Sequence, residues 1–414
     1  MEFIPLKILA VGGEDDPQAE AVRKAAGEKA QFFFLKEFDA EVFSKIKPDL
    51  VLITSGVLHE EMRFIEEARH QNIPSLALQD GILEWRCQYE NPLFGSGGGP
   101  PQHQPVMADK IGCLGHQSAR QMAAWGNAAK VEVTGMPRLD RILQSQTWRP
   151  PARPGKTLLV MTAQKPWFDD KQRNLVLQSL RDLKEFLSSK PEIQVLWRLT
   201  RDIPGILGVE NHETDKGQAG LIRLIESADA VITTPSTAAI ESMMLSRPVA
   251  FLDYTNSPRF FPAVWQISAK SHLSTAVADL LNPGAAKMAY QNDILNDVLQ
   301  NTEPSASRVF DLILKMVEEF RDQLRKRQSV ALPPAMLDST PIFVSYLPLL
   351  AALYPGHQIF SEANPTRLQS RLAAAVKENE MLKRRLRSRS LGYWMELLGN
   401  YWVREFRSKR GNEA

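Results

Sequence analysis

Residues 228–253 read ADAVITTPSTAAIESMMLSRPVAFLD, and this stretch decides the fold. Ala230 to Thr233 is a short apolar run, Thr234-Pro235-Ser236-Thr237 a polar turn, Ala238 to Leu245 a breaker-free helical stretch, and Val249 to Asp253 a second apolar run. Strand, turn, helix and strand in that order form the repeating unit of a parallel sheet. Ser236 and Thr237 then fall at a helix N-terminus, where unpaired amides and the positive end of the helix dipole converge beside two hydroxyls. A phosphate placed there is satisfied without a metal. Glu241 lies one turn further in, within reach of ribose hydroxyls. The plainer alternative makes Ser236 an ordinary N-cap and Glu241 a solvated helix residue.

A second segment, VEVTGMPRLDR over residues 131–141, follows a helical stretch from Gln117 to Trp125 that Gly126-Asn127 ends. Its strand, Val131 to Thr134, runs into Gly-x-Pro-Arg-x-Asp. Taken together and in this order, the two segments resemble the GT-B superfamily of nucleotide-sugar enzymes. Within it the likeness is to the group that holds the CDP-glycerol glycerophosphotransferase-like and capsule polysaccharide transferases and the UDP-N-acetylglucosamine 2-epimerases. There a VTGNPRxD-like strand end closes the first domain, and a DSTxxxEA-like turn and helix in the second holds the donor's phosphates and ribose. The strings here are VTGMPRLD and TTPSTAAIES, and the resemblance spans roughly residues 5 to 325.

Around these segments short apolar runs alternate with helical patterns, as in parallel sheets covered on both faces. Strands are expected at Leu6 to Val11, Gln31 to Leu35, Leu50 to Thr54, Ser75 to Leu78 and Lys110 to Leu114, with helices at Pro17 to Lys29 and Glu60 to Gln71. The reading is an α/β chain of GT-B architecture: two doubly wound Rossmann-like domains facing a crevice, plus a C-terminal helical tail. Residues 1–146 form the acceptor domain, a Pro/Arg-rich linker covers 147–156, and 157–328 form the nucleotide-donor domain. The helix from Ser305 to Lys326 ends that body, crossing back to the first domain as last helices do in the family. An irregular connector covers 329–363, and the tail covers 364–410.

At 414 residues, 43% hydrophobic and 24% charged, the chain is long enough for two globular domains and an appendage. Its formal charge is +2, but residues 364–414 hold 12 Lys and Arg against 5 Asp and Glu, so a basic tail follows an acidic body. Leu368, Leu372, Val376, Asn379, Leu382 and Leu386 approach a heptad. Tyr393, Trp394, Leu397, Leu398, Tyr401, Trp402 and Phe406 then line one side of a helix. Aromatics beside arginines suit an anionic membrane surface; a homodimer or self-docking helix is the competing use. Nucleic acid is disfavoured, because the crevice motifs point to small nucleotides.

Cys87 and Cys113 have no metal-ligand spacing and imply a reducing compartment. Phe3 to Val11 reads as a buried strand rather than a signal peptide, and the longest apolar stretch, Pro341 to Tyr354, is interrupted by Pro348 and too short for a membrane span. The expected location is cytoplasmic, with the tail reaching the inner face of the plasma membrane.

Transfer from a nucleotide-linked donor requires neutralisation of the leaving phosphate, a base for the acceptor, and exclusion of water. Besides Ser236 and Thr237, the candidates for the first task are Arg138 after the Gly135 turn, Arg198 at a strand end, and Lys165 in the loop TAQKP. For the base, SLALQDGILEWR (75–86) places Asp80 at the end of a strand, with Glu84 close behind. Asp80 as a turn cap is the structural alternative. Two departures from the family stand out: its His-Gly pair is replaced by Asp80-Gly81, and its Lys-Pro-His-Pro-like string by WRLTRD (197–202), so no phosphate-binding histidine is carried over.

The loop from Cys87 to Pro105 reads as a mobile acceptor lid or a tolerated insertion. Gly97-Gly98-Gly99 lacks the P-loop pattern, and Gly12-Gly13 lacks a GxGxxG continuation, which argues against nicotinamide chemistry. The histidines show no HExxH spacing and Asp169-Asp170 is not placed as a metal-binding DxD, so no metal or cofactor is expected. The resemblance implies a metal-independent glycosyltransferase or glycerophosphotransferase-like enzyme. Its donor would be a nucleotide-sugar or CDP-alditol, its acceptor a saccharide or lipid-linked group, and its setting bacterial surface polysaccharide assembly. A UDP-sugar 2-epimerase-like enzyme and a catalytically silent scaffold working through the tail are the alternatives.

Overall fold

The computed structural model describes residues 4–54, 59–94, 101–144, 156–213, 217–326 and 331–337. The linker up to residue 155 and the whole tail lie outside the described residues, as do the coiled-coil and membrane-contact expectations placed on that tail. Met1–Pro348 forms one compact unit containing two sheets.

The first lobe runs β1 (Leu6–Val11), α1 (Pro17–Ala26), β2 (Ala30–Leu35), α2 (Ala40–Ile46), β3 (Leu50–Ile53), α3 (His59–His70), β4 (Ser75–Leu78), β5 (Lys110–Cys113), α4 (His116–Met122), β6 (Val131–Val133) and α5 (Asp140–Gln144). Its strands pair in parallel in the order β2-β1-β3-β4-β5-β6. The second lobe runs β7 (Lys156–Met161), α6 (Asp170–Ser188), β8 (Ile193–Arg198), α7 (Ile203–Leu207), α8 (Gln218–Ser227), β9 (Ala230–Thr233), α9 (Ala238–Met244), β10 (Val249–Leu252), β11 (Trp265–Ile267), α10 (Leu273–Leu281), α11 (Ala285–Val298) and α12 (Ser305–Arg325). Its parallel order is β11-β10-β9-β7-β8. The central strands β3, β4, β9 and β10 are buried along their whole length, which is why they read as continuous apolar runs rather than alternating ones.

Each order reverses once, between β1 and β3 in the first sheet and between β7 and β9 in the second. Ligands of doubly wound sheets bind outside the strand ends at such points. The loops after β1, β7 and β9 are therefore the ones that matter.

Chain order and packing part company at α12. This helix lies beyond the second sheet in sequence, yet its Val309, Phe310, Ile313 and Met316 pack with Ile8, Val22, Leu50 and Leu76 of the first lobe. Asp140 ties down its start, its two carboxylate oxygens accepting from the Ser305 and Ala306 amides at 2.8 Å each. That is an N-cap supplied from a distant part of the chain, and it accounts for the aspartate of VTGMPRLD.

The rest of that segment joins the lobes. Met136, Leu139 and Ile142 enter one apolar cluster with Ala239, Ile240 and Met243 of α9 and with Val298 and Leu299 at the end of α11. Two glycines permit the approach. A Cβ on Gly115 would stand 2.5 Å from the Val298 backbone carbon, and one on Gly135, whose φ is +82°, would stand 2.2 Å from Ser305 Oγ.

Candidate active site between the two lobes

The signature turn of the second lobe is built as a small hydroxyl lattice. Thr234 Oγ1 accepts from the Ala163 amide at 2.8 Å, linking the loops after β9 and β7. Thr233 Oγ1 lies 3.2 Å from Ser236 Oγ. Thr237 occupies the N-cap position of α9, but its side chain makes no capping bond within the helix. Neither Ser236 nor Thr237 thus serves as the ordinary cap that the plainer reading allowed.

Thr237 instead reaches across the crevice. Its Oγ1 accepts from the Ile82 amide of the first lobe at 3.3 Å, and a Cβ on Gly81 would come within 2.8 Å of that same oxygen. Gly81 is needed because the Asp80 loop runs directly against the start of α9. Gln79 holds the loop there: its side chain donates to Gly81 O at 2.7 Å and accepts from the Leu114 amide at 3.1 Å.

Asp80 is exposed along the crevice, with protein closing around its other sides. That crowding strips hydration from the carboxylate and raises its pKa above the usual 3.8; Asp16 pushes the same way, while Arg138 and Lys165 oppose. Asp80, Arg138 and Lys165, chosen separately in the sequence, therefore share one electrostatic neighbourhood. Asp16 joins them and was missed. It caps α1 by accepting from the Gln18 and Ala19 amides at 3.0 and 2.8 Å, directly after β1. The readable signal was Asp16-Pro17, an N-cap followed by proline at the first helical position.

Glu84 stands differently. Its carboxylate pairs with the guanidinium of Arg86, which is buried and donates from Nη1 to Pro166 O at 3.1 Å, next to Lys165. Burial raises the Glu84 carboxyl, Arg86 offsets part of this, and Asp253 and Glu90 add to it. Of the two candidate acids, Asp80 is the one open to a substrate.

Glu241 is not a solvated helix residue. It is buried in α9 and accepts from Arg138 Nη1 at 2.7 Å, while its other oxygen, Oε2, has no hydrogen-bond partner among the described residues. Arg198 ends the edge strand β8, with β7 between it and β9, so it stands apart from the Asp80 group. Asp169 is the N-cap of α6, accepting from the Gln172 amide at 2.7 Å. Among the described residues no group of His, Cys, Asp and Glu is arranged to hold a metal, and no helix is long and apolar enough to cross a membrane. Burial pushes the Cys87 thiol up to about 11, with Glu84 and Asp80 adding to it, which keeps it an unreactive thiol.

In this conformation the lobes are shut around Glu84, while Asp80 stays exposed. Besides the contacts of Thr237 and Glu241, Gln172 donates to Glu90 at 2.7 Å and Gln117 to Phe260 O at 2.5 Å. The void between Glu84, Pro235 and Asp253 measures about 20 Å³, room for one water and not for a nucleotide.

No protein-family model matches the sequence, and no curated protein is similar to it in sequence. Solved structures are similar in fold. Staphylococcus aureus MnaA in complex with UDP superposes with a TM-score of 0.54 at 12% identity, covering 80% of this chain and 99% of its own. The UDP-GlcNAc 2-epimerase of Methanocaldococcus jannaschii, bound to UDP-GlcNAc and UDP, gives 0.52 at 11% identity, covering 75% of this chain and 99% of its own. The chain has the GT-B fold.

Proposed function

We propose that this GT-B chain is a metal-independent transferase that binds a nucleotide-activated sugar or alditol phosphate between its lobes. It moves the activated group to a saccharide or lipid-linked acceptor in cell-envelope polysaccharide assembly. One observation carries the reading: Asp80 after β4 and Arg138 after β6 share an electrostatic neighbourhood with Lys165 after β7, and Thr237 after β9 accepts from the Ile82 amide beside Asp80, β7 and β9 being the strands between which the second sheet reverses its order.

For a sugar donor the step is a displacement. The acceptor hydroxyl loses its proton to the Asp80 carboxylate as its oxygen bonds to the anomeric carbon. The bond from that carbon to the phosphate oxygen breaks, and the electron pair leaves on the nucleoside diphosphate. The developing charge is taken up by the amides and hydroxyls at the start of α9 together with Arg138 and Lys165. A raised Asp80 pKa brings the base nearer to neutral pH and improves proton transfer. Glu241, with Oε2 unpartnered, offers an acceptor for ribose hydroxyls once the lobes part. The basic tail would bring the enzyme to an anionic membrane surface.

The test is thermal stabilisation of the full chain by UDP, CDP, GDP, CMP and their sugar or glycerol conjugates, with UDP compounds first because both neighbours hold them. A ligand at a hundred times its Kd adds about 2.7 kcal/mol. Stabilisation by one base class, lost in Ser236→Ala, supports the reading; no response to any nucleotide defeats it.

A further inference from the structure

Beside the shut crevice lies a second and larger cavity, of about 470 Å³, lined by Gln117, Arg120, Gln121, Arg259, Phe260 and Gln266. Its volume is that of a small-molecule site. Gln117, Arg120 and Gln121 stand on α4 of the first lobe; Arg259, Phe260 and Gln266 come from the stretch between β10 and the end of β11 in the second. Arg259 and Phe260 also line the water-sized void that holds Glu84 and Pro235, so the two spaces share a wall.

Three polar groups of this cavity, Arg120, Arg259 and Gln117, are held in place by hydrogen bonds. Arg120 makes two bonds to the buried carboxylate of Asp297, at 2.8 and 2.5 Å. Arg259 donates from Nη2 to Asp253 at 3.1 Å, and its Nη1 is buried without a hydrogen-bond partner. Gln117 commits its amide nitrogen to Phe260 O and keeps its oxygen as an acceptor. The Phe260 ring lies 6.1 Å from the Trp85 ring and 5.5 Å from the Trp125 ring, centroid to centroid. Three amides and two anchored guanidinium groups offer donors and acceptors, the guanidinium groups and Gln117 with little freedom to lose, and Phe260 and Pro262 add apolar faces. Sugar hydroxyls both donate and accept, and a pyranose also presents an apolar C–H face, so this combination matches a saccharide better than a nucleotide base or an aliphatic chain.

We infer that this cavity receives the saccharide end of the acceptor, entering between α4 and β11. Arg259 and Phe260, which line both spaces, then stand between the bound saccharide and the turn beginning at Pro235. The assignment rests on the transferase reading and adds to it the acceptor's class and its route of entry.

The experiment uses the full chain, with N,N′-diacetylchitobiose, maltotriose and glycerol 3-phosphate as probes in ligand-observed NMR and calorimetric titration. Gln121→Trp and Gln266→Trp each fill the cavity from a partly or fully exposed position, and nucleotide stabilisation of each variant reports an intact fold. A neutral saccharide is expected to bind wild-type protein, and both variants should weaken it by at least about tenfold while leaving the nucleotide shift in place. Equal saccharide binding by wild type and both variants overturns the assignment, as does binding of glycerol 3-phosphate alone or of no probe at about 10 mM. A nucleotide shift without saccharide binding sinks this inference and spares the transferase reading. Saccharide binding without any nucleotide shift sinks the transferase reading, and the acceptor role with it.

Discussion

Arg138, on the turn after β6, and Glu241, in the first turn of α9, meet across the two lobes at 2.7 Å, with 19% and 3% of their side chains exposed. In the shut state each neutralises the other. On the transferase reading proposed above, donor entry would exchange one set of charge partners for another instead of exposing a buried carboxylate.

Arg138→Met should leave the Glu241 carboxylate buried without its cation and cost about 3 kcal/mol in urea unfolding, whereas the double variant Arg138→Met with Glu241→Met should recover much of that. A single-variant cost within about 0.5 kcal/mol of zero would show that the pair does not hold the lobes together.

Asp80 leads to a pH prediction of definite sign. Its folded pKa lies above the unfolded value, so ionisation disfavours the folded state: the penalty is absent below the unfolded pKa, grows through the interval between the two, and is complete above the folded one. Asp80→Asn should accordingly raise Tm at neutral pH and leave it unchanged at acid pH, while removing the acidic limb of the kcat/KM profile. Equal Tm gains at both ends of the pH range would mean that the carboxylate is not under this strain.

Two glycines of positive φ separate backbone strain from crowding. Gly126, at φ +92°, has open space where a Cβ would go, so Gly126→Ala should cost about 1 kcal/mol. At Gly135 the same change adds overlap with Ser305 Oγ and with Gln300 O, the latter at 2.8 Å, and should cost about 2 kcal/mol more. Chemical denaturation of the two variants side by side decides it; equal losses would mean that α12 does not press on the turn.

The buried pair Lys110–Glu132, at 2.8 Å, anchors the segment 331–337. Glu132 accepts from the Met336 and Leu337 amides at 2.9 and 3.1 Å, and Lys110 donates to Pro333 O at 2.6 Å. Glu132→Ala should leave a buried ammonium without its counter-ion and two amides unpaired, destabilise the first lobe by about 3–5 kcal/mol, and open residues 331–337 to limited proteolysis. A cleavage pattern identical to wild type would exclude the anchor.

Strand positions were legible because strands buried on both faces leave apolar runs bounded by turn residues: Leu6–Val11, Ser75–Leu78 and Ala230–Thr233 are found where their composition puts them. The three-residue edge strand Trp265–Ile267 was not, since its middle residue Gln266 faces solvent and so short an alternation carries no period. The two signature strings were also legible as features of the fold, and Asp80, Arg138 and Lys165 could be chosen by type and by their place at strand ends.

What those side chains do was decided by tertiary contacts. Two parallel sheets, their helices and the turn at Ser236-Thr237 follow from residue order alone, because periodicity and turn chemistry act between neighbours in the chain. Only the folded structure decided that Arg138 pairs with Glu241, that Asp140 caps a helix starting at Ser305, that Glu84 is held by Arg86 while Asp80 stays open, and that Asp16 joins the site. These relationships link residues far apart in sequence whose charge and burial depend on what the other lobe brings up to them, and no local pattern encodes that partner.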